Sequence, residues 1–267
     1  MLTSRSEWRR TASGFETQRH VIGALVLREL HTRYGRDNIG YLWMLLEPCL
    51  LAAAVASLHT ESGLRPGTDF EPIPFALTGY TVFMIFRSIV SRAESTLEAN
   101  KPLLYHHQVS IFDMLAARGI LESLSTIATL ILLLTLANLL RFASPPAYPL
   151  TMLGAILFMC WFSFACSMLV CLGCYFSKAF AKFLHPAMYI SMPMSGSFFL
   201  LSWIPEPYRT WLSWSPMNQI FEMLFSGLFE SVNSPYYDPL YITGWCMALT
   251  ALGLAALRVL RRNVHLN

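Results

Sequence analysis

Charge is what this 267-residue sequence has least of. Asp, Glu, Lys and Arg make up only 13% of it, against about 25% for an ordinary soluble domain. Hydrophobic residues make up 55%, and mean hydropathy is +0.46. Such a chain has too little polar surface to face water on all sides, so it reads as a membrane protein. Other absences narrow the class. There is no G-x-x-x-x-G-K-[ST] phosphate loop, no H-E-x-x-H and no G-x-S-x-G, which removes a nucleotide cradle, a zinc-protease helix and a nucleophile elbow. The polar pieces are too small to hold a nucleotide-binding domain, so ATP-driven work would come from another chain. The six cysteines form no disulfide framework, and "CLGC" (Cys171 and Cys174) sits in an uncharged run beside Cys160 and Cys166, where buried thiols are expected.

What is present is length without charge. Crossing about 30 Å of hydrocarbon takes roughly 20 apolar residues at about 1.5 Å each. Six windows qualify: about 39–58, 73–91, 113–140, 151–176, 184–203 and 239–257. The first contains Glu47 followed by Pro48, the second meets Arg87 near its end, the fourth has no charge, and the fifth carries Pro186 and Pro193. No window alternates like a barrel strand. The expected fold is an all-α membrane protein with six transmembrane helices. Of 19 Lys and Arg residues, Arg65, Arg141 and Arg209 fall on one set of alternate loops, and the other sixteen lie on the opposite set with both termini. That bias places both ends in the cytoplasm. The 38 residues before the first window hold seven Arg, so no cleavable leader is expected.

Residues 26–34 put Val26, Leu27, Leu30 and Tyr34 on one helical face, with Arg28, Glu29, His31, Thr32 and Arg33 around the rest. This is the pattern of an amphipathic interface helix, or of a simple basic anchor. Gly35 is a stop signal, and Asp37 or Asn38 can cap a new helix at Ile39. After the second window a helical extension carries Glu94, Glu98 and Lys101 and breaks at Pro102. His106 and His107 follow it, but adjacent residues point to different faces and make a poor metal pair. Later, Pro216 after Ser215 starts a helix with the stripe Ile220, Phe221, Leu224, Phe225 and Leu228, about 13 residues long and too short to span. With Trp211 and Trp214 before it and Glu230 after it, the segment reads as a re-entrant or interfacial hairpin gating the outer face, or as an amphipathic helix resting on headgroups.

Three blocks then point to a family: "LRELHTRYGRDNIGYLWMLLEP", "NKPLLYHHQVSIFDMLAARGILE" and "WSPMNQIFEMLFSGLF". In this order, in a six-span chain with both ends inside, they resemble the ABC-2 type permeases, and more narrowly the inner-membrane permeases of bacterial capsular polysaccharide exporters. The likeness covers nearly the whole chain. Y-G-R, G-Y-L-W and L-L-E-P are its most specific parts, whereas relatives commonly show Asn-Pro where this chain has Ser215-Pro216. The resemblance implies a homodimer bound to two copies of a separate ATP-binding subunit, exporting a lipid-linked acidic polysaccharide. Periplasmic and outer-membrane export components would lie beyond it, and no nucleic acid is involved. The chain itself would bind no cofactor, with ATP and Mg on the partner subunit. Residues 1–38 would form the cytoplasmic N-terminal segment, 39–260 the transmembrane domain and 261–267 a cytoplasmic tail. The interface helix would be about Arg19 to Tyr34, the coupling helix about Arg92 to Tyr105, and the gate hairpin about 204–235.

On this basis Arg28, Arg33, Arg92, Glu94, Glu98 and Lys101 are expected to couple to the ATPase. Trp211, Trp214, Phe221 and Phe225 would form the gate. The substrate path is expected to use Tyr41, Trp43, Glu47, Phe83, Phe86, Arg87, Arg118 and Glu122. Aromatic faces pack on sugar C–H surfaces and cations meet acidic groups, although Phe also fills bundle cores and Trp and Tyr gather at interfaces. Trp161, Tyr189, Phe198, Phe199 and Trp203 are further rings in the spans. A charge at the bilayer centre costs about 2.5–3.5 kcal/mol, so each ionisable group needs a reason. Arg87 either snorkels or grips an anionic cargo. Arg118 and Glu122, four residues apart, are expected to pair with each other. Glu47, at a kink made by Pro48, is either satisfied locally or lines the path. Export of O-antigen or teichoic acid is the neighbouring alternative. An ion-coupled secondary transporter using these charges is disfavoured, because no internal repeat is visible.

Overall fold

The computed structural model describes residues 3–34, 46–47, 49–50, 54, 71–99, 109–232 and 235–264. Most of the first expected span therefore lies outside the described residues, as do His106 and His107. The described elements are α1 (Thr3–Tyr34), α2 (Pro72–Ala93), α3 (Thr96–Ala99), α4 (Ile111–Leu139), α5 (Pro149–Phe176), α6 (Lys178–Met194), a 3-10 turn at Leu201–Trp203, α7 (Tyr208–Ser213), α8 (Pro216–Leu228) and α9 (Pro239–Val264). Four of them, α2, α4, α5 and α9, are long and apolar enough to cross a membrane.

Local chemistry explains where these helices begin. α2, α5 and α8 each start on a proline, whose fixed φ suits the first turn and whose missing N–H costs nothing there. α4 opens with a reciprocal capping box: Asp113 N–H donates to Ser110 Oγ at 3.1 Å and Ser110 N–H to Asp113 Oδ2 at 3.0 Å. α5 is the hub, packing against α2, α8 and α9, while α2 also packs on α4, and α4 carries α1. The main core gathers Phe75, Phe83, Met159, Ile220, Phe221, Phe225 and Ile242. A second cluster places Cys171 with Ala165, Met168, Leu257 and Leu260 between α5 and α9, so this thiol serves as a small buried hydrophobe.

Three sequence expectations need correction. First, α1 begins at Thr3, well before Arg19, and it carries a second, protein-facing stripe beside its Leu27 and Leu30 face. Leu25 is buried against Met114 and Ala117 with Val21, Ile22 and Val26 around it, whereas Leu27 and Leu30 stay exposed. Gln18, Ile22, Leu25 and Glu29 recur at helical spacing toward α4, because Gln18 and Glu29 find polar partners there.

Second, the fifth window is not one continuous helix. α6 runs from Lys178, capped by Ser177 Oγ accepting from Phe180 N–H at 3.2 Å, and it stops at Met194. Gly196 then adopts φ +87°, a left-handed conformation that glycine adopts without Cβ strain. The chain continues in non-helical form to the 3-10 turn. Its backbone is tolerated inside because Ser195 and Ser197 are buried and donate to the Met192 carbonyl at 2.7 and 3.1 Å. α2 passes so close that a Cβ on Gly79 would overlap the Ser197 carbonyl oxygen.

Third, the alternative of an amphipathic helix resting on headgroups does not hold for α8. Every residue from Met217 to Leu228 is buried. Gly227 lets it press on α5, since a Cβ there would lie 2.5 Å from Met152 N. Its last carbonyls, at Gly227 and Leu228, accept from Tyr148 and Ala147 N–H at 2.8 and 3.2 Å, which closes a helix end that would otherwise be unsatisfied.

Candidate functional site

The charged residues converge where α2 ends against α1 and α4. Arg118 and Glu122 share one face of α4 but do not pair with each other, which corrects the spacing-based expectation. Arg118 Nε sits 3.3 Å from Glu29 Oε1 of α1, at ion-pair distance, and Glu122 Oε1 receives Arg92 Nε of α2 at 2.8 Å. Helical i,i+4 spacing permits a pair, but partners arriving from other helices offer better geometry.

Arg118 does a second job. Its Nη1 donates to the Arg92 carbonyl at 3.0 Å, Thr96 Oγ1 at 3.1 Å and Ser95 Oγ at 3.4 Å. The Arg92 carbonyl belongs to the last turn of α2, where carbonyls lack helical partners and the dipole is negative, so a guanidinium is the fitting cap. One side chain thus joins α1, the end of α2, the turn into α3, and α4. Further along, Gln18 Nε2 donates to Asp113 Oδ1 at 2.8 Å, fixing α1 to the first turn of α4. Of the residues expected to meet an ATPase, Arg28 is exposed on α1, and Glu94 is half-buried and engages His185 of α6 at 3.5 Å. Tyr41, Trp43 and Lys101, with the side chains of Arg33 and Glu98, lie outside the described residues.

A second grouping lies along one face of α2. Tyr80 OH donates to the Glu47 carboxylate, so the carboxylate in the first apolar window has a buried phenol as its partner. Seven residues on, the Arg87 guanidinium lies 4.3 Å from the centre of the Tyr189 ring of α6. Phe83, three residues from Tyr80, and Phe86 make no contact with Glu47 or Arg87 that the structure shows among the described residues. Both are buried in the core, with Phe86 stacking on Phe162 at 5.8 Å, so packing is their visible role.

At the opposite end of the helices the four expected gate residues separate into two environments. Phe221 and Phe225 are core residues, Phe225 stacking on Phe75 at 4.3 Å. Trp211 and Trp214 are exposed. Trp211 lines an open groove of about 600 Å³ with Tyr208, Met194, Ser195 and Asn218, whereas Trp214 offers its carbonyl to Tyr241 OH at 2.6 Å. Sequence reasoning missed the groups that fix this end. Asn218 Nδ2 donates to the Leu212 carbonyl at 2.9 Å, Gln219 Nε2 to the Ser213 carbonyl at 2.8 Å, and Asp238 N–H to Gln219 Oε1 at 3.0 Å. Glu222 accepts from Leu201 N–H, and Arg209 Nε donates to the Leu201 and Ile204 carbonyls at 3.1 and 2.9 Å. The signal was present: polar residues at positions 218, 219 and 222 interrupt an apolar helix, and the reasoning applied to Glu47 extends to Glu222.

Long apolar helices, joined by ion pairs at one end and by a buried short helix at the other, define an integral-membrane helical bundle. Its family is plain. A family model described as ABC-2 type transporter matches residues 20–229, and the chain belongs to that family. It is 32% identical over 248 residues to the capsule polysaccharide export inner-membrane protein CtrC of Neisseria meningitidis serogroup B, across 93% of this chain and 94% of CtrC. The capsule polysaccharide export inner-membrane protein BexB of Haemophilus influenzae is 29% identical over 248 residues, across 93% and 94% of the two chains. The polysialic acid transport protein KpsM of Escherichia coli is 29% identical over 260 residues, across 92% and 95%.

Proposed function

We propose that this chain is the permease subunit of an ATP-driven exporter that moves a lipid-linked capsular polysaccharide across a bacterial inner membrane. The observation that carries this reading is coverage: the relatives named for capsule polysaccharide export align over more than nine-tenths of both chains. The permease crosses the membrane six times with both termini in the cytoplasm and works as a homodimer. Two copies of a separate ATP-binding subunit supply ATP and Mg, and this chain itself has no ATPase site.

The ion-pair knot gives the reading a physical route. ATP-driven closure must reach the spans through whatever docks on the ATPase, here α1 and the segment from Arg92 to Tyr105, with Arg28, Glu94, Glu98 and Lys101 as contacts. Arg118 and Glu122 bind those two elements to α4, so displacing either one pulls on a helix that traverses the bilayer. The face bearing Glu47, Tyr80 and Arg87 borders the cargo route, and α7 with α8 shapes the periplasmic exit toward envelope export components.

Reconstitution in liposomes with its cognate ATP-binding subunit is the direct test. Lipid-linked polysaccharide presented on the ATPase side should appear on the other side only with ATP. Transport at an unchanged rate with the ATPase omitted overturns the reading.

A further inference from the structure

Arg87 has no carboxylate partner among the described residues. The acidic groups near its end of α2 are already engaged: Glu47 by Tyr80, Glu94 by His185 and Glu122 by Arg92. What faces the guanidinium instead is the ring of Tyr189, 4.3 Å away, and that residue is 60% exposed. Arg87 is six residues from Ala93, about 9 Å from the end of α2 at about 1.5 Å per residue. A cation this far inside an apolar helix either reaches for water or has an anion supplied to it. The contact argues against simple reaching, because the guanidinium centre lies over a ring of a neighbouring helix. A ring face attracts the cation but neutralises none of its charge, so the guanidinium keeps the capacity to pair with an oxyanion.

We propose that Arg87, held on the Tyr189 ring, is an anion-reading station for passing cargo, and that it favours an acidic glycolipid over a neutral one. The group read is an anionic oxygen pair, either a sugar carboxylate or the phosphate that joins the sugar to its lipid. The site suits transit rather than storage. When one anion leaves, the ring still stabilises the cation, so no bare charge has to wait for the next, and binding stays weak enough for release. This proposal rests on the exporter reading above.

The test is binding of three probes to the full-length permease in nanodiscs: a phospholipid-linked oligosialic acid, its carboxyl methyl ester, and a dodecyl oligoglucoside with no anion. Arg87→Gln should weaken the acidic probe by about 10-fold and Arg87→Lys by about 3-fold, since Lys keeps the charge without the planar fork. Tyr189→Leu should cost about 3-fold, whereas Tyr189→Phe keeps the ring and should leave affinity unchanged. Thermal stability of each variant is measured alongside. If the sugar carboxylate is read, Arg87→Gln spares the ester. If the lipid phosphate is read, it weakens acid and ester alike and spares the glucoside. Either outcome supports the anion station. Equal weakening of all three probes, or of none while the wild type binds the acidic one, overturns it. A wild-type permease that binds no glycolipid probe removes the exporter reading as well.

Discussion

The two ends of this bundle are held by different chemistry. Where α1, α2 and α4 meet, the ties are ion pairs between helices, and at least one partner is well exposed in the central pair: the Arg92 side chain keeps 41% of its surface exposed while Glu122 keeps 4%. Where α7 and α8 meet the start of α9, the ties are buried side chains bonded to backbone groups. In such a pair the solvated member moves at small cost, because a released Arg92 regains water, while the buried Glu122 needs another cation in its place. A buried amide or carboxylate that lets go of a backbone group leaves both desolvated and unpaired. The charged end therefore has alternative arrangements within reach, and the α8 end behaves as a frame. An exporter driven from one side needs that asymmetry.

The comparison breaks most sharply at the glycines of the frame. Gly79→Ala and Gly227→Ala each drive a methyl into backbone, at the Ser197 carbonyl and at Met152 N. Overpacking against backbone has no flexible side chain to yield, so each should cost about 3 kcal/mol or more. In detergent this reads as a lowered Tm and loss of the monodisperse peak. Gly244→Ala is the control: it meets nothing within 4 Å, and helix propensity alone should stabilise it by up to about 1 kcal/mol. Equal behaviour of the three variants would remove the frame from the argument.

Next in size is Glu222. Glu222→Ala leaves the Leu201 N–H without its buried acceptor and opens space inside α8, for about 2–3 kcal/mol, whereas Glu222→Gln keeps an acceptor and should cost about 1 kcal/mol. Chemical denaturation of the detergent-solubilised chain measures the difference. If Gln proves as damaging as Ala, the carboxylate's charge matters and the frame is not a neutral hydrogen-bonded one.

At the charged end the prediction is an inequality. Arg92→Gln strips the cation from a buried carboxylate and should cost about 2 kcal/mol. Glu122→Gln leaves a partly solvated arginine and should cost about 1 kcal/mol or less. Reversal of that order would show that Arg92, not Glu122, is the desolvated member.

How far the sequence foretold this arrangement depended on how local each signal was. The windows 113–140 and 151–176 match α4 and α5 to within about two residues, because uncharged runs and caps such as Ser110 and Pro149 act on their own helix. The window 184–203 failed at Met194, because apolar composition continues through backbone that only tertiary contacts with α2 and α8 make tolerable. Pro193 and Gly196 were the local warning. Pairing was the least legible feature. Arg118 and Glu122 satisfied the helical spacing rule, yet Glu29, about 90 residues away in sequence, and Arg92 took them. The partners of the buried polar set on α8 were not legible, because they are backbone groups at Leu212, Ser213 and Leu201 that only the tertiary fold brings to Asn218, Gln219 and Glu222.

The smallest expected effect separates holding the fold from docking a partner. Glu94 and His185 form a largely solvated pair at 3.5 Å, with side-chain exposures of 32% and 63%. Pairs of that kind contribute about 0–1 kcal/mol, so Glu94→Gln should leave Tm within about 1 °C. If Glu94 also meets the ATP-binding subunit, the same substitution should lower ATPase association by about 3–10-fold at low salt, and the difference from wild type should shrink as salt rises, because exposed charges are screened beyond about 10 Å at 0.1 M. His185→Gln removes the in-chain partner without touching the docking charge, and should leave association unchanged. Matching losses from both variants would mean that the pair acts only by shaping the end of α2, and the docking role would pass to the rest of the segment between Arg92 and Tyr105.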